Sequence, residues 1–377
     1  MPKPIRHVAV NTRLLLGKQL EGIGRFSDEV LKRMVRSHPE VEFSFFFDRE
    51  YDERYIYGPN VKPYVLFPPA RHPFLFILFF EWAVARKLSQ LKPDVFFSPD
   101  GYLSLRSSVP QVPVFHDIAF EHFPQDVKKM EAWHYRKYFP RFAKKAAKII
   151  TVSEYTKQDV IAHYHVPEDK FTIVGNACDE RFQPSSPDEI KETRDRYSDG
   201  ERYFHCVGAI QPRKNLDRLI AAFDRFKTET QSPMKLLVVG RKAWNFDQVI
   251  HSYSQAKFKE DIVFTGFVSD EELVRIHGAS SGLCYVPYFE GFGIPLVEAM
   301  ACEAPIICSN VTAMPGVVGD AALMVDPLDI QSIVEGLKTL ASNPRLASEL
   351  VDKGRVRKRL YTWEGSAERV WNVLTSV

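Results

Sequence analysis

No Asp-x-Asp pair occurs anywhere in the 377 residues, so the usual paired carboxylates for holding a divalent metal on a phosphate-bearing ligand are missing. The five cysteines (Cys178, Cys206, Cys284, Cys302 and Cys308) form neither a Cys-x-x-Cys pair nor any other metal-ligand spacing. Reduced, mostly buried thiols of a cytoplasmic protein are therefore expected. A full Gly-x-Gly-x-x-Gly fingerprint and a P-loop are also absent. The most apolar run, PFLFILFFEWAV at 73–84, contains Glu81 and is far short of the roughly 20 residues that cross a bilayer. It reads as an amphipathic or core helix. The opening MPKPIRHVAV enters a strand at once, so no signal peptide is expected. With 50 Lys and Arg against 48 Asp and Glu, the net charge of +2 gives no strong field for nucleic acid.

What is present suits two domains, because a chain of this length outgrows a single core. Short apolar runs alternate with longer amphipathic stretches, the pattern of parallel βα units. In the first half, residues 5–10, 41–47, 94–99, 112–117 and 148–153 read as strands, and 27–37 and 126–147 as helices. In the second half, strands are expected at 202–210, 234–240, 261–268, 282–287, 304–309 and 321–326. The fold class is thus α/β, with two Rossmann-like, doubly wound parallel-sheet domains facing a central cleft. Residues 1–182 form the first domain, the polar stretch 183–200 a linker, and 201–360 the second domain. Residues 361–377 form a terminal helix that docks on one of them, the N-terminal domain being the expected partner.

In such units chemistry sits on the loops just after strands. The segment Glu290-Gly291-Phe292-Gly293-Ile294-Pro295-Leu296-Val297-Glu298 directly follows a strand. Its glycines allow close backbone approach, and Pro295 suits the first turn of a helix. Amides at that helix start, with the positive end of the dipole, make an anion site. Glu290 and Glu298 cannot hold a phosphate themselves, since like charge repels; they would accept hydrogen bonds from sugar or ribose hydroxyls. The plainer alternative is a glycine turn with two solvated glutamates. Arg213 and Lys214 stand at another strand end, where they can neutralise a diphosphate or simply face solvent. Gly22 and Gly24 open a helix after the first strand, a weak signal alone. His116 and Asp117 end a further strand, where the imidazole can donate to a sugar hydroxyl or cap neighbouring backbone.

Residues 128–148 carry eight Lys and Arg against one Glu, with Trp, Tyr and Phe interleaved. This is either a solvated helix face or a surface that meets anionic lipid, where each basic residue is worth about 1 kcal/mol.

Together these segments resemble the GT-B-fold retaining glycosyltransferases of the group 1 family (family 4 of the sugar-enzyme classification). EGFGIPLVE is similar to that family's Glu-x7-Glu motif, and VGAIQPRKNLDRLIAAF to its strand–PRKN–helix segment. GIGRF, FHDIAFEHFP, ITVSEYTKQDV, FTGFVSDEELVRIHGAS and GDAALMVDP follow in the family's order. The resemblance implies that Glu290 contacts the donor sugar and Glu298 the ribose. It implies backbone amides at Gly291, Phe292, Gly293 and Ile294 on the diphosphate, with Lys214 as its cationic clamp and Arg213 beside it. Gly22 and Gly24 would let the N-terminal domain close over the phosphates, and His116, next to Asp117, would contact the sugar near the anomeric centre. The implied reaction moves a hexosyl group with retention from a nucleotide-diphosphate sugar, GDP-mannose being favoured. It needs no cofactor and no metal. The acceptor would be a glycan or lipid-linked, in cell-surface polysaccharide synthesis, as in the similar bacterial polysaccharide mannosyltransferases. The protein would be cytoplasmic, at the inner face of the membrane if 128–148 touches lipid.

Three positions depart from the family pattern. Ala209 stands where many members carry Arg, leaving that phosphate contact missing or taken over by Arg213. Asn176-Ala177-Cys178 replaces Asn-Gly-Val, and Gly316 replaces a frequent Glu. The alternatives to a transferase are a sugar-nucleotide epimerase of the same architecture, a nicotinamide-dependent dehydrogenase, or a noncatalytic nucleotide-binding protein. The missing dinucleotide fingerprint and the cationic PRK cluster argue against the dehydrogenase. The intact Glu290, Lys214 and Glu298 argue against the noncatalytic protein.

Overall fold

The computed structural model describes residues 4–17, 20, 22–70, 72–241 and 247–377. Lys18, Gln19 and Glu21, just before GIGRF in the sequence, lie outside them. The chain divides into two compact units, 1–176 joined by 362–377, and 177–361.

The first unit is built on a parallel sheet of β1 (His7–Asn11), β2 (Glu42–Phe47), β3 (Val61–Val65), β4 (Val95–Ser98), β5 (Gln111–Phe115), β6 (Ile149–Thr151) and β7 (Phe171–Ile173). Their order is β3-β2-β1-β4-β5-β6-β7, with Val8 of β1 opposite both Phe43 of β2 and Val95 of β4. Nearly every residue of β2, β4 and β5 is buried, as strands covered on both faces require. The strand order reverses between β1 and β4, and a crevice at the carboxyl ends of the strands is the usual consequence. Two strands are not visible as apolar runs. β3 carries Lys62 and Pro63, which an edge strand tolerates, and β7 is only three residues long.

The apolar run at 73–84 is helical, from Pro73–Leu78 through a π-helical Phe79–Val84 to Ala85–Leu91. Phe79, Phe80, Val84 and Leu88 are buried, while Phe74, Leu78 and Trp82 are exposed. The Glu81 carboxylate accepts from the amides of Leu105 (2.8 Å) and Arg106 (3.1 Å), which explains a charge in so apolar a run. Among the described residues no helix is long and apolar enough to cross a membrane. The C-terminal helix Trp363–Leu374 belongs to this unit. Trp371 stacks on His38, the residue just after the helix Gly22–Ser37, at 3.7 Å, and Ser366 Oγ donates to Gly175 O at 2.7 Å.

The second unit holds β8 (Tyr203–Val207), β9 (Lys235–Val239), β10 (Ile262–Gly266), β11 (Gly282–Tyr285), β12 (Ile306–Ser309) and β13 (Leu323–Val325). All pair in parallel, in the order β10-β9-β8-β11-β12-β13, so the reversal lies between β8 and β11. Residues 183–200 are not a linker. They contain the helix Pro187–Ser198, started by a capping box in which Ser186 and Glu189 each satisfy the other's backbone N–H. This helix lies within the second unit and packs on the helix Asp270–Ala279, where Tyr197 OH donates to Glu272 at 3.1 Å. Its polar composition hides it, because only Thr193 and Ser198 are fully buried.

Candidate active site

β8 gives way to Gly208, whose φ is 138°, and β9 to Gly240, whose φ is 146°. A methyl group at Gly240 would lie 2.0 Å from the Gly208 carbonyl oxygen, so the two strand ends approach this closely only as glycines. A narrow cavity opens there, lined by Gly208, Ala209, Val239, Tyr285 and Lys214, the charged residue of its wall.

The turn Pro212–Lys214 is pinned by Asn215, which precedes the helix Leu216–Thr230. Asn215 is buried with a left-handed φ of 59°, a conformation its short polar side chain tolerates. Its Nδ2 donates to Val286 O (2.9 Å) and Pro327 O (2.7 Å), and Tyr288 N donates to Arg213 O (3.1 Å). The turn is thereby fastened to the end of β11.

Arg213 and Lys214 both point at one carboxylate. Arg213 NH1 and Lys214 Nζ each lie 2.6 Å from Glu290 Oε1, and Lys214 Nζ also donates to Tyr285 OH at 2.9 Å. Glu290 is 7% exposed, so neither solvated glutamates nor a solvent-facing basic pair describes this cluster. Burial pushes the Glu290 carboxyl up, but Arg213 and then Lys214 outweigh it and hold the pKa at about 2. Burial, then Glu290, pushes the Tyr285 phenol well above its ordinary range, so it stays a neutral hydrogen-bonding group.

The loop after Glu290 leads into the helix Ile294–Ala301 through Gly293, whose φ is 93°. A side chain at Gly293 would press on Leu296 at 3.0 Å and Tyr285 at 3.2 Å. Pro295 lies in the first turn, Phe292 is buried edge-on against Tyr361, and Gly291 is buried. The start of this helix therefore brings its amides and positive dipole end beside the Arg213–Lys214–Glu290 cluster.

Glu298, within the same helix, is 5% exposed and lies 3.9 Å from His277 Nε2. Behind it His277 Nδ1 and His205 Nε2 are 2.9 Å apart, and both rings are fully buried. Burial lowers the His205 pKa to about 3, and burial with the neighbouring His205 takes His277 well below its ordinary range. Burial, then Glu298, pushes the Cys178 thiol up to about 12. All five cysteines are free, and Cys284, Cys302 and Cys308 are buried.

Gly22, Gly24, His116 and Asp117 belong to the first unit. Gly22 opens the helix Gly22–Ser37, and a methyl at Gly24 would crowd Leu20 at 3.1 Å and Leu14 O at 3.2 Å. His116 Nε2 lies 2.8 Å from Pro99 O, so of its two readings the backbone contact is present; burial lowers its pKa. Asp117 Oδ1 accepts from Ala119 N at 3.0 Å and turns the chain into the helix Ala119–His122. Sequence reasoning missed Arg13 and Asp100, beyond the ends of β1 and β4. Their side chains pair at 2.5 Å, and the Arg13 guanidinium covers the rings of Tyr102 and Phe76 at 4.7 and 4.9 Å. It also missed Tyr285, which reads as a buried strand residue. Asn215 carried a signal, as an Asn directly before an amphipathic helix.

Two family models match the chain: "Glycosyltransferase Family 4" over residues 20–182 and "Glycosyl transferases group 1" over 188–357. The O-antigen chain mannosyltransferase B of Escherichia coli is 27% identical over 376 residues, which is 94% of this chain and 95% of that protein. The serotype-specific mannosyltransferase WbdA of Escherichia coli is 27% identical over 229 residues, 59% of this chain and only 28% of that longer protein. Among solved structures, Anabaena HepE in complex with UDP and glucose superposes with a TM-score of 0.75 at 15% identity, over 99% of this chain and 100% of that one. At that identity the likeness is one of fold, the GT-B pairing of two Rossmann-like units.

Proposed function

Because the chain belongs to the group 1 glycosyltransferases, we propose that it transfers a mannosyl group from GDP-mannose to a glycan or lipid-linked acceptor in cell-surface polysaccharide synthesis. The anomeric configuration is retained, and no metal ion sits on the diphosphate. The observation that most supports this reading is the buried cluster in which Arg213 and Lys214 share Glu290 Oε1 beside a helix start. Two cations against one carboxylate leave a net positive charge where a diphosphate needs one, so a divalent ion is dispensable. The mannosyltransferase relatives favour mannose. The UDP and glucose of the fold neighbour support a nucleotide-sugar donor without choosing the base.

Each residue then has a part. Lys214, helped by Arg213, meets the diphosphate along with the amides of Gly291, Phe292, Gly293 and Ile294. Glu290 contacts the sugar and Glu298 the ribose hydroxyls. The first unit binds the acceptor, with Gly22, Gly24, His116 and Asp117 as its own site residues. The bond from the anomeric carbon to the leaving phosphate breaks while the acceptor oxygen bonds to the same face. The acceptor proton passes to the leaving phosphate, which carries away the bonding electron pair. The protein supplies preorganised positive charge more than acid or base chemistry.

We place the enzyme at the cytoplasmic face of the membrane, touching it through the helix Lys129–Lys145, where Trp133 and Met130 are 48% and 47% exposed among lysines. Co-sedimentation with anionic liposomes that falls as salt rises supports this contact. No binding to such vesicles at low salt removes it.

The donor is tested by thermal shift against a panel of nucleotide sugars, with EDTA present. GDP-mannose at about 100 times its Kd should stabilise the fold by roughly 2.7 kcal/mol. Stabilisation by UDP-sugars alone would overturn the donor and leave the family standing. Conversion of the nucleotide sugar without any acceptor would mark the epimerase instead.

A further inference from the structure

The first unit gathers three side chains that the proposed reaction does not use. Asp159 and His163 lie one turn apart on the helix Glu154–Tyr164, so the carboxylate and the imidazole share a face. His122 ends the helix Ala119–His122, which the chain enters directly after His116 and Asp117. His122 Nε2 stands 2.9 Å from Asp159 Oδ1 and 3.0 Å from Oδ2, and His163 Nδ1 stands 3.1 Å from Oδ1. One ligand atom from each of the three residues falls within 4.8 Å of the other two. The Asp159 side chain is 7% exposed, whereas those of His122 and His163 are 27% and 38% exposed.

Two imidazoles and one carboxylate form the donor set of a zinc ion that keeps one position for water. At bond lengths of about 2.0–2.1 Å, the ligand atoms of a tetrahedral zinc stand roughly 3.3 Å apart. The two His–Asp separations of 2.9 to 3.1 Å need to open by only a few tenths of an ångström, and the ligand nitrogens of the two histidines lie within 4.8 Å of each other. Both rings reach the surface, so solvent can supply the fourth ligand, and His163 Nδ1 exchanges its 3.0 Å contact with Asp159 O for the ion. The carboxylate is the fixed point between them.

We propose that His122, Asp159 and His163 bind one zinc ion. The ion clips the end of the segment 116–122 to the helix Glu154–Tyr164. The neighbouring Glu121 already ties the same two helices, accepting from Tyr164 OH at 3.0 Å. The clip fixes the far end of the segment that starts with His116 and Asp117, and so sets the backbone on which they stand. The site does not depend on the donor or on the transfer reaction.

The test uses untagged full-length protein stripped with a chelator and dialysed. Titration with Zn²⁺ by calorimetry should show one equivalent bound, and Co²⁺ should give the visible absorption of a four-coordinate site. His122→Gln and His163→Gln alter half-exposed rings, so both variants should fold. Each should weaken zinc by about 100-fold or more, as loss of one of three protein ligands implies. Zinc should raise the melting temperature of the wild type and leave that of both variants unchanged. Equal zinc binding by wild type and variants, or no stoichiometric uptake by the wild type, would show a hydrogen-bonded His–Asp–His cluster and overturn the site.

Discussion

Lys214 Nζ lies 2.6 Å from Glu290 Oε1, inside a cluster that also receives Arg213 at 2.6 Å. Burying these charges costs desolvation, which the shared carboxylate and the Tyr285 hydroxyl offset. The pairing joins two segments 76 positions apart, the turn after β8 and the loop after β11. It therefore holds the two cations in place, as the proposed stabilisation of charge on a leaving phosphate would require.

Acid stability should report this pair. Glu290 titrates from 4.5 in the unfolded chain down to about 2 in the folded one. A depressed carboxylate stabilises the fold fully above pH 4.5, and that stabilisation is lost as the pH falls toward 2. Glu290→Gln leaves two cations without their anion and should cost about 3 kcal/mol at neutral pH. Urea midpoints measured against pH should show the gap between wild type and variant narrowing below pH 4.5. A gap that stays constant down to pH 2.5, within the range between the two values, contradicts the pairing.

The two buried histidines predict a second pH dependence. Below 6.5 the unfolded chain takes up protons that folded His205 refuses until about pH 3, so stability falls as the pH falls. The slope contributed by each such histidine is at most about 1.4 kcal/mol per pH unit. His205→Gln should flatten the curve below 6.5. An unchanged slope would mean that the pair is protonated in the folded state.

Much of this was legible in the sequence. The apolar runs placed eleven of the thirteen strands among the described residues, because parallel strands buried on both faces are nearly all apolar. β3 escaped notice through Pro63, and the helix Pro187–Ser198 through its polar surface. At the site, residue types and spacing singled out Arg213, Lys214, Glu290 and Glu298. They could not reveal that one carboxylate oxygen serves both cations. Nor could they show that Asn215 fastens the turn by donating to Val286 and Pro327, since those partners come from distant loops. His205 and His277, 72 positions apart, each look like an isolated core residue until the fold joins them.

The two glutamates should separate by ligand. Glu298→Ala should weaken both GDP and GDP-mannose, since ribose is common to them, by about 1.5–3 kcal/mol for hydrogen bonds to a charged group. Glu290→Ala should spare GDP and reduce turnover. Calorimetry in which both variants bind GDP like the wild type would remove Glu298 from the ribose.

Chelation should leave transfer intact. The zinc clip of the first unit would be stripped by the same reagent, so the assay belongs in His122→Gln as well as in the wild type. Turnover in excess EDTA should match the untreated rate in the variant. Complete loss there, restored by Mg²⁺ or Mn²⁺, would place a metal on the diphosphate.

Steady-state kinetics of Lys214→Ala, after its fold has been checked, bear most directly on the donor site. In the proposed donor site Lys214 is the main side-chain cation on the diphosphate, because Ala209 carries no charge. Charge gathers on that group as the sugar–phosphate bond breaks, so kcat should fall by about 10²–10³, comparable to loss of one oxyanion-hole donor. KM should rise as well. Arg213→Ala should cost less, and Lys214→Arg should not restore the rate, because a planar fork does not replace a point charge in a fitted site. Near-wild-type kcat in Lys214→Ala would put the cation elsewhere and contradict the donor site described here.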